Sequence, residues 1–143
     1  MRCRCSESAS AARRSRWRSA GRFGPTPILE ASWDSEIEVL DETIPPGPWL
    51  NVHFEGFTLP PGATLLARSA AGPSAFRHGP HLGVQVHPEV TPEIVAAWWE
   101  RYRPEHPELD YSALVRDGEV NREGAPARAF ELFDRWRASI RSS

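Results

Sequence analysis

His87 and Glu89 flank a single proline in the stretch LGVQVHPEVTPEIVAAWWE, residues 82–100. A carboxylate beside an imidazole holds one ring tautomer and stabilises the imidazolium that forms when the ring takes a proton. In an extended strand residues i and i+2 point the same way, so the two side chains share a face if strand geometry persists to the strand's end. Pro88 fixes the backbone between them. Such a pair is the orienting half of a triad and serves a nucleophile that must come from elsewhere. The plainer reading is a histidine and a glutamate that merely sit at an exposed strand end.

The elements that would position this pair are legible around it. SEIEVLDE alternates Ile37 and Val39 inward with Glu36 and Glu38 outward, which is strand periodicity. IPPGPWL is a rigid turn whose prolines cannot continue a sheet. LNVHF and ATLLARSA read as further strands joined by TLPPGA, and SAFRHG with HLGVQVH forms a hairpin around Gly79-Pro80. Thr91 is then an N-cap, with Pro92 at the first helical position and Glu93 near the helix's positive end. The ensuing helix is expected to bury Ile94, Ala97, Trp98 and Tyr102, and RPEHPE ends it. A second helix is expected over residues 111–116, and a third over 127–140 with Ala129, Phe133, Trp136 and Ile140 on its apolar face. These aromatics read as core, not as a cofactor box, and no cofactor is expected.

A chain of 143 residues with 40% hydrophobic content suffices for one domain with a core and is too short for two. The net charge is −2, no apolar run approaches membrane-spanning length, and nothing resembles a signal peptide's apolar core. A cytoplasmic protein without a membrane partner is expected. All 17 basic residues are arginine, and seven of them (Arg2, Arg4, Arg13, Arg14, Arg16, Arg18, Arg22) fall in the first 22 positions beside one acid, Glu7. The remainder of the chain is acidic, so no nucleic-acid partner is expected. Cys3 and Cys5 lie too near each other and the terminus to staple a fold, and CxC alone is not a usual zinc spacing.

The string AFRHGPHLGVQVHPEVTPEIV closely resembles the C-terminal part of class I glutamine amidotransferases, in which a strand ends in a His-Pro-Glu motif that completes a Cys-His-Glu triad. NVHFEGFTLPPGATLLARSAAGPSAF resembles that family's preceding segment, a strand with a His-x-Asp-like pair leading into LPPGA; here the pair is His53 and Glu55. The resemblance runs over residues 30–99 and implies a fold: the C-terminal fragment of a flavodoxin-like α/β amidotransferase domain, a mixed β-sheet with flanking helices. It implies L-glutamine as substrate, His87 as general base and acid, Glu89 as its orienter, and a synthase partner that receives ammonia. His53 and Glu55 become substrate-side residues by the same resemblance, or structural ones. The family nucleophile is a cysteine in a Gly-x-Cys-x-Gly-like elbow. Neither Cys3 nor Cys5 has flanking glycines or a preceding apolar strand.

The Ser/Arg/Ala stretch occupies the place where that elbow should lie. Codons chosen for residues 6–13, SESASAAR, spell Gly-Ile-Cys-Phe-Gly-Gly-Gln in the shifted frame, with a Val-Pro-Val-Leu strand before it and an Ala/Leu helix after it. Residues 1–28 are accordingly expected to be a disordered or poorly packed, out-of-frame version of the elbow, and residues 29–143 a partial amidotransferase domain. The frame would be restored near residues 27–30. The same Arg/Ser/Ala composition also suits an organelle transit peptide or a basic arm. Three functional readings result: a glutamine-hydrolysing enzyme that is inactive as written, a non-catalytic remnant or binding module, and a metal site drawn from His53, Glu55, His78, His81, His87 and Glu89. The spacing of that last set matches no zinc motif, and no metal is expected.

Overall fold

The computed structural model describes residues 21–33 and 36–141. Its strands are β1 (Phe23–Ser32), β2 (Glu38–Val39), β3 (Asn51–Phe57), β4 (Thr64–Ser69), β5 (Gly72–His78) and β6 (His81–Val84). Three helices follow among the described residues: α1 (Pro92–Tyr102), α2 (Tyr111–Val120) and α3 (Gly124–Arg141). β1 and β3 form an antiparallel ribbon, and β2-β4-β5-β6 form a four-stranded antiparallel sheet in that order. The fold is α/β, with the helices flanking these sheets. Among the described residues no helix is long and apolar enough to cross a membrane.

β1 begins at Phe23, ahead of the boundary expected at residue 28, because residues 23–25 pair with Phe57, Gly56 and Glu55 of β3. The ladder then slips and resumes at Glu30↔His53, Ala31↔Val52 and Ser32↔Asn51. Phe23 is 80% exposed and Ile28 and Leu29 are also exposed, so this strand is held more by its ladder than by packing. Residues 1–20, which contain both cysteines and the expected elbow region, lie outside the described residues.

The β5–β6 hairpin turns at Gly79-Pro80 between paired His78 and His81. Gly79 takes φ +57°, a left-handed conformation that costs glycine nothing. Further along the ladder Phe76 lies opposite Gly83, and its ring fills the space a Cβ would need. Among its described residues the alternating segment SEIEVLDE, 35–42, contributes only the two-residue β2, although Ile37 and Val39 do turn toward the core.

Two apolar clusters hold the layers together. The first joins Trp33, Leu50 and Val90 to Val95 of α1 and to Tyr111 and Leu114 of α2, with Trp33 Nε1 donating to the Leu114 carbonyl at 3.2 Å. The second joins Ile44, Trp49, Leu66, Ala67, Ala75 and Val86 to Leu132 of α3. α1 starts where expected: the Thr91 hydroxyl accepts from the Ile94 N–H, and Pro92 occupies the first turn. α2 is capped by Asp110, which accepts from Ala113, and runs past residue 116 to Val120.

The buried faces of two helices differ from those expected. In α1 the core contact is Val95, supported by Ile94, Trp98 and Trp99, while Ala97 and Tyr102 face solvent. Four consecutive apolar residues, AAWW, leave the periodicity without a unique phase, and Trp99 settles it by meeting the Tyr111 ring edge-on at 5.4 Å. In α3 the buried residues are Ala125 and Leu132, with Ala129 and Trp136 half-buried; Phe133 and Ile140 lie outside, as does Phe130. Trp136 Nε1 donates to the Pro80 carbonyl and Arg135 to that of Glu42, which fixes the rotation of α3 by about one residue from the expected phase.

Candidate functional site

The chain leaves the four-stranded sheet at residues 85–87 and crosses to the β1–β3 ribbon. Gln85 N–H still donates to Ser74 of β5, but its side-chain amide reaches the Glu55 carbonyl, and His87 N–H donates to the Leu50 carbonyl at 3.0 Å. The ladder of β6 therefore ends at Val84, and His87 and Glu89 lie in the turn beyond it. Their side chains nevertheless meet: His87 Nδ1 is 2.9 Å from Glu89 Oε1. On the other side of the ring Nε2 is 3.2 Å from the Val52 carbonyl oxygen. Trp98 of α1 closes the ring's flank, edge-on at 5.0 Å between centroids. The histidine is about three-quarters buried, and Glu89 is largely exposed.

Both imidazole nitrogens thus face oxygens that can only accept. A neutral ring carries one N–H and satisfies one of them; a doubly protonated ring donates to both. For His87 to act as a base toward a nucleophile, Nε2 must exchange the Val52 carbonyl for that group.

The tripeptide His-Pro-Glu occurs a second time, as His106-Pro107-Glu108, between α1 and α2. There His106 Nδ1 lies 3.2 Å from Glu108 Oε1, in nearly the same arrangement. The pairing is therefore a property of the tripeptide. What distinguishes His87 is the surrounding structure: its backbone N–H meets the Leu50 carbonyl and its ring meets that of Val52, whereas the His106 ring stacks on Phe54 with centroids 4.0 Å apart. The repeat was legible in the sequence, masked by its role as a helix stop.

His53 and Glu55 do not join the His87 pair. His53 projects from β3 and its Nε2 is 2.8 Å from Glu30 Oε2 of β1, with both side chains about nine-tenths buried. Its Nδ1 is buried without a partner. Glu30 carries no motif, and only its register opposite His53 identifies it. Glu55 is exposed at the rim of an open hollow of about 560 Å³ lined by Phe23, His53, Phe54, Glu55, Gln85 and His106. His78 and His81 face each other at the hairpin's end. Among the described residues no three His, Cys, Asp or Glu side chains converge in a way that could hold a metal ion.

No protein-family model and no curated protein sequence matches the chain. Solved structures do. A glutamine amidotransferase from Thermotoga maritima superimposes with a TM-score of 0.70 at 21% identity, covering 81% of this chain and 54% of that one. A glutamine amidotransferase from Methylobacillus flagellatus gives 0.68 at 21% identity, covering 82% and 55%. The chain spans about half the length of these proteins. At that identity the likeness speaks for the backbone alone, and it is specific: this chain has a glutamine-amidotransferase-like fold.

Proposed function

We propose that His87 and Glu89 are the imidazole and carboxylate of a glutamine amide-hydrolysing site whose nucleophile lies outside the described residues. The observation that carries this reading is the docking of His87. Its ring is oriented by Glu89 and its backbone is pinned to Leu50, just ahead of β3, within an amidotransferase-like fold. In the reaction a thiolate attacks the side-chain amide carbon of L-glutamine, and amide N–H donors stabilise the oxyanion. The tetrahedral species collapses as the histidine gives its proton to the departing nitrogen, releasing ammonia and leaving a glutamyl thioester. The histidine then takes a proton from water, which attacks the thioester, yielding glutamate and the free thiolate. A synthase partner would take up the ammonia, and His53 and Glu55 would lie on the substrate side of the hollow.

As written, the chain lacks the elbow this chemistry needs. A glutaminase assay on the purified chain is expected to give no ammonia, and the same chain carrying a Gly-x-Cys-x-Gly elbow in place of the Arg-rich segment is expected to give it. Ammonia from neither would sink the reading. One observation favours a non-catalytic remnant for the chain as it stands: Val52 already occupies the nitrogen a base would use.

A further inference from the structure

We propose that the outer flank of α3 is an interface between two copies of this chain, the helices packed antiparallel about a two-fold axis.

The inner face of α3 is already committed to the core, where Leu132 is 1% exposed. At about 100° per residue, Phe133 stands roughly a quarter turn around the helix from Leu132, and Phe130 nearly opposite it. Phe130 is 73% exposed, Phe133 46% and Ile140 37%. With Arg137 these residues follow one another at intervals of three, four and three, the spacing by which two helices interlock along a seam. A second copy covers such a seam with the same seam, so that one patch serves both sides and the assembly closes at two. The net charge of −2 sets little repulsion against it.

The charges choose the direction. Asp134 and Arg137 lie one turn apart at 3.5 Å, with side chains 76% and 60% exposed. Parallel helices would set Arg137 of one copy against Arg137 of the other. Antiparallel helices carry each Arg137 over the Phe133 ring of the other copy, a cation–π position. Four charges then gather at the two-fold axis, each arginine between the two aspartates. Phe130 meets Ile140, all four seam positions are filled, and the opposed helix dipoles attract. Sliding the pair by one heptad to stack Phe130 on Phe133 would leave Ile140 opposite Glu123, ahead of the start of α3 at Gly124. One helix per copy makes a small interface, below about 1,200 Å², so the dimer is weak and reversible.

The test is sedimentation velocity over a concentration series on the full chain and on two charge variants, R137D and D134R. The wild type is expected to pass reversibly from one copy to two. Each variant alone gathers four like charges at the axis and is expected to dimerise at least about tenfold more weakly. Mixed one to one, the two variants restore a neutral cluster and are expected to pair within about threefold of the wild-type affinity. Both positions lie on the exposed flank, so urea midpoints close to that of the wild type are expected for each. A wild type that stays monomeric to about 1 mM would overturn the proposal. So would a mixture that pairs no better than its components, because the charges would then act within one helix alone. Assembly that grows past two copies would overturn it as unspecific adhesion, and unfolding of either variant would do so by making its residue part of the fold.

Discussion

His106 Nδ1 lies 3.2 Å from Glu108 Oε1, within a few tenths of an ångström of the 2.9 Å separating His87 Nδ1 from Glu89 Oε1. Two copies of His-Pro-Glu in different surroundings make the same contact. The contact alone therefore identifies a local conformation, and the chemistry must be argued from what lies behind each ring. Behind His87 is the edge of β3; behind His106 is an aromatic face.

The first prediction rests on that difference. In a chain with the nucleophile elbow restored, H87N is expected to lower the turnover number for glutamine hydrolysis by about 10²–10⁴-fold, the usual range for loss of a general acid/base. H106N is expected to leave it within about twofold, since that ring is given no part in the proton transfers. Steady-state ammonia release measures both. Equal losses in the two variants would place the chemistry in the hollow shared by His53 and His106.

The second concerns acid. The Glu93 carboxylate is lowered to about 2, first by its own backbone N–H at the start of α1, then by Arg122 and Thr91. Arg122 Nη1 reaches it at 2.7 Å, tying α1 to the segment between α2 and α3. A depressed folded value contributes stability that is complete above the unfolded value near 4.5 and disappears as pH falls toward 2. The melting temperatures of the wild type and E93Q should therefore differ by a constant amount from about pH 5 to 7 and converge near pH 2. The offset should be small, because the pair is exposed, and it should shrink further in high salt.

The third concerns Gly83. A Cβ there would lie 2.4 Å from Phe76 Cε1 and 2.5 Å from Cζ, so the ring must swing away. Phe76 also meets Phe57 edge-on at 5.2 Å and so links the four-stranded sheet to β3. G83A is expected to cost about 1–3 kcal/mol by overpacking, measured by urea denaturation. The double variant G83A/F76A should show much less than the sum of the two single costs, because the clash vanishes with the ring.

Much of this architecture could be read from residue order. The cap at Thr91, the hairpin at Gly79-Pro80 and the strands around LNVHF and ATLLARSA each rest on a local rule, a capping hydroxyl, a positive-φ glycine or an alternation, and the fold respects them. The helix faces were not legible in the same way. Where apolar residues outnumber the positions one face can bury, as in AAWW or AFELFDRW, the phase is chosen by partners distant in sequence. For α3 those are the Pro80 and Glu42 carbonyls, which bind Trp136 and Arg135. Glu30 escaped notice for a related reason, since its partner sits 23 residues away on another strand. The pairing of His87 with Glu89 was legible, although through a turn at Pro88 instead of a continued strand.

The last prediction tests that phase directly. Leu132 is 1% exposed and sits between the four-stranded sheet and α3, whereas its neighbour Phe133 is 46% exposed and Phe130 is 73% exposed. L132A removes a filled core position and is expected to cost about 2–5 kcal/mol. F133A, despite deleting the larger side chain, should cost at most about 1 kcal/mol, because much of its ring already faces water. Urea denaturation curves with equal slopes would give both values. The reversed order would restore the face read from periodicity, with Phe133 inward. The exposed pair has a second consequence: two phenylalanines one turn apart on an open helix face make an adhesive stripe. F130S/F133S should raise the concentration at which the chain begins to self-associate in sedimentation velocity while leaving its unfolding midpoint nearly unchanged. A substantial drop in the midpoint would mean that these rings are packed inside after all.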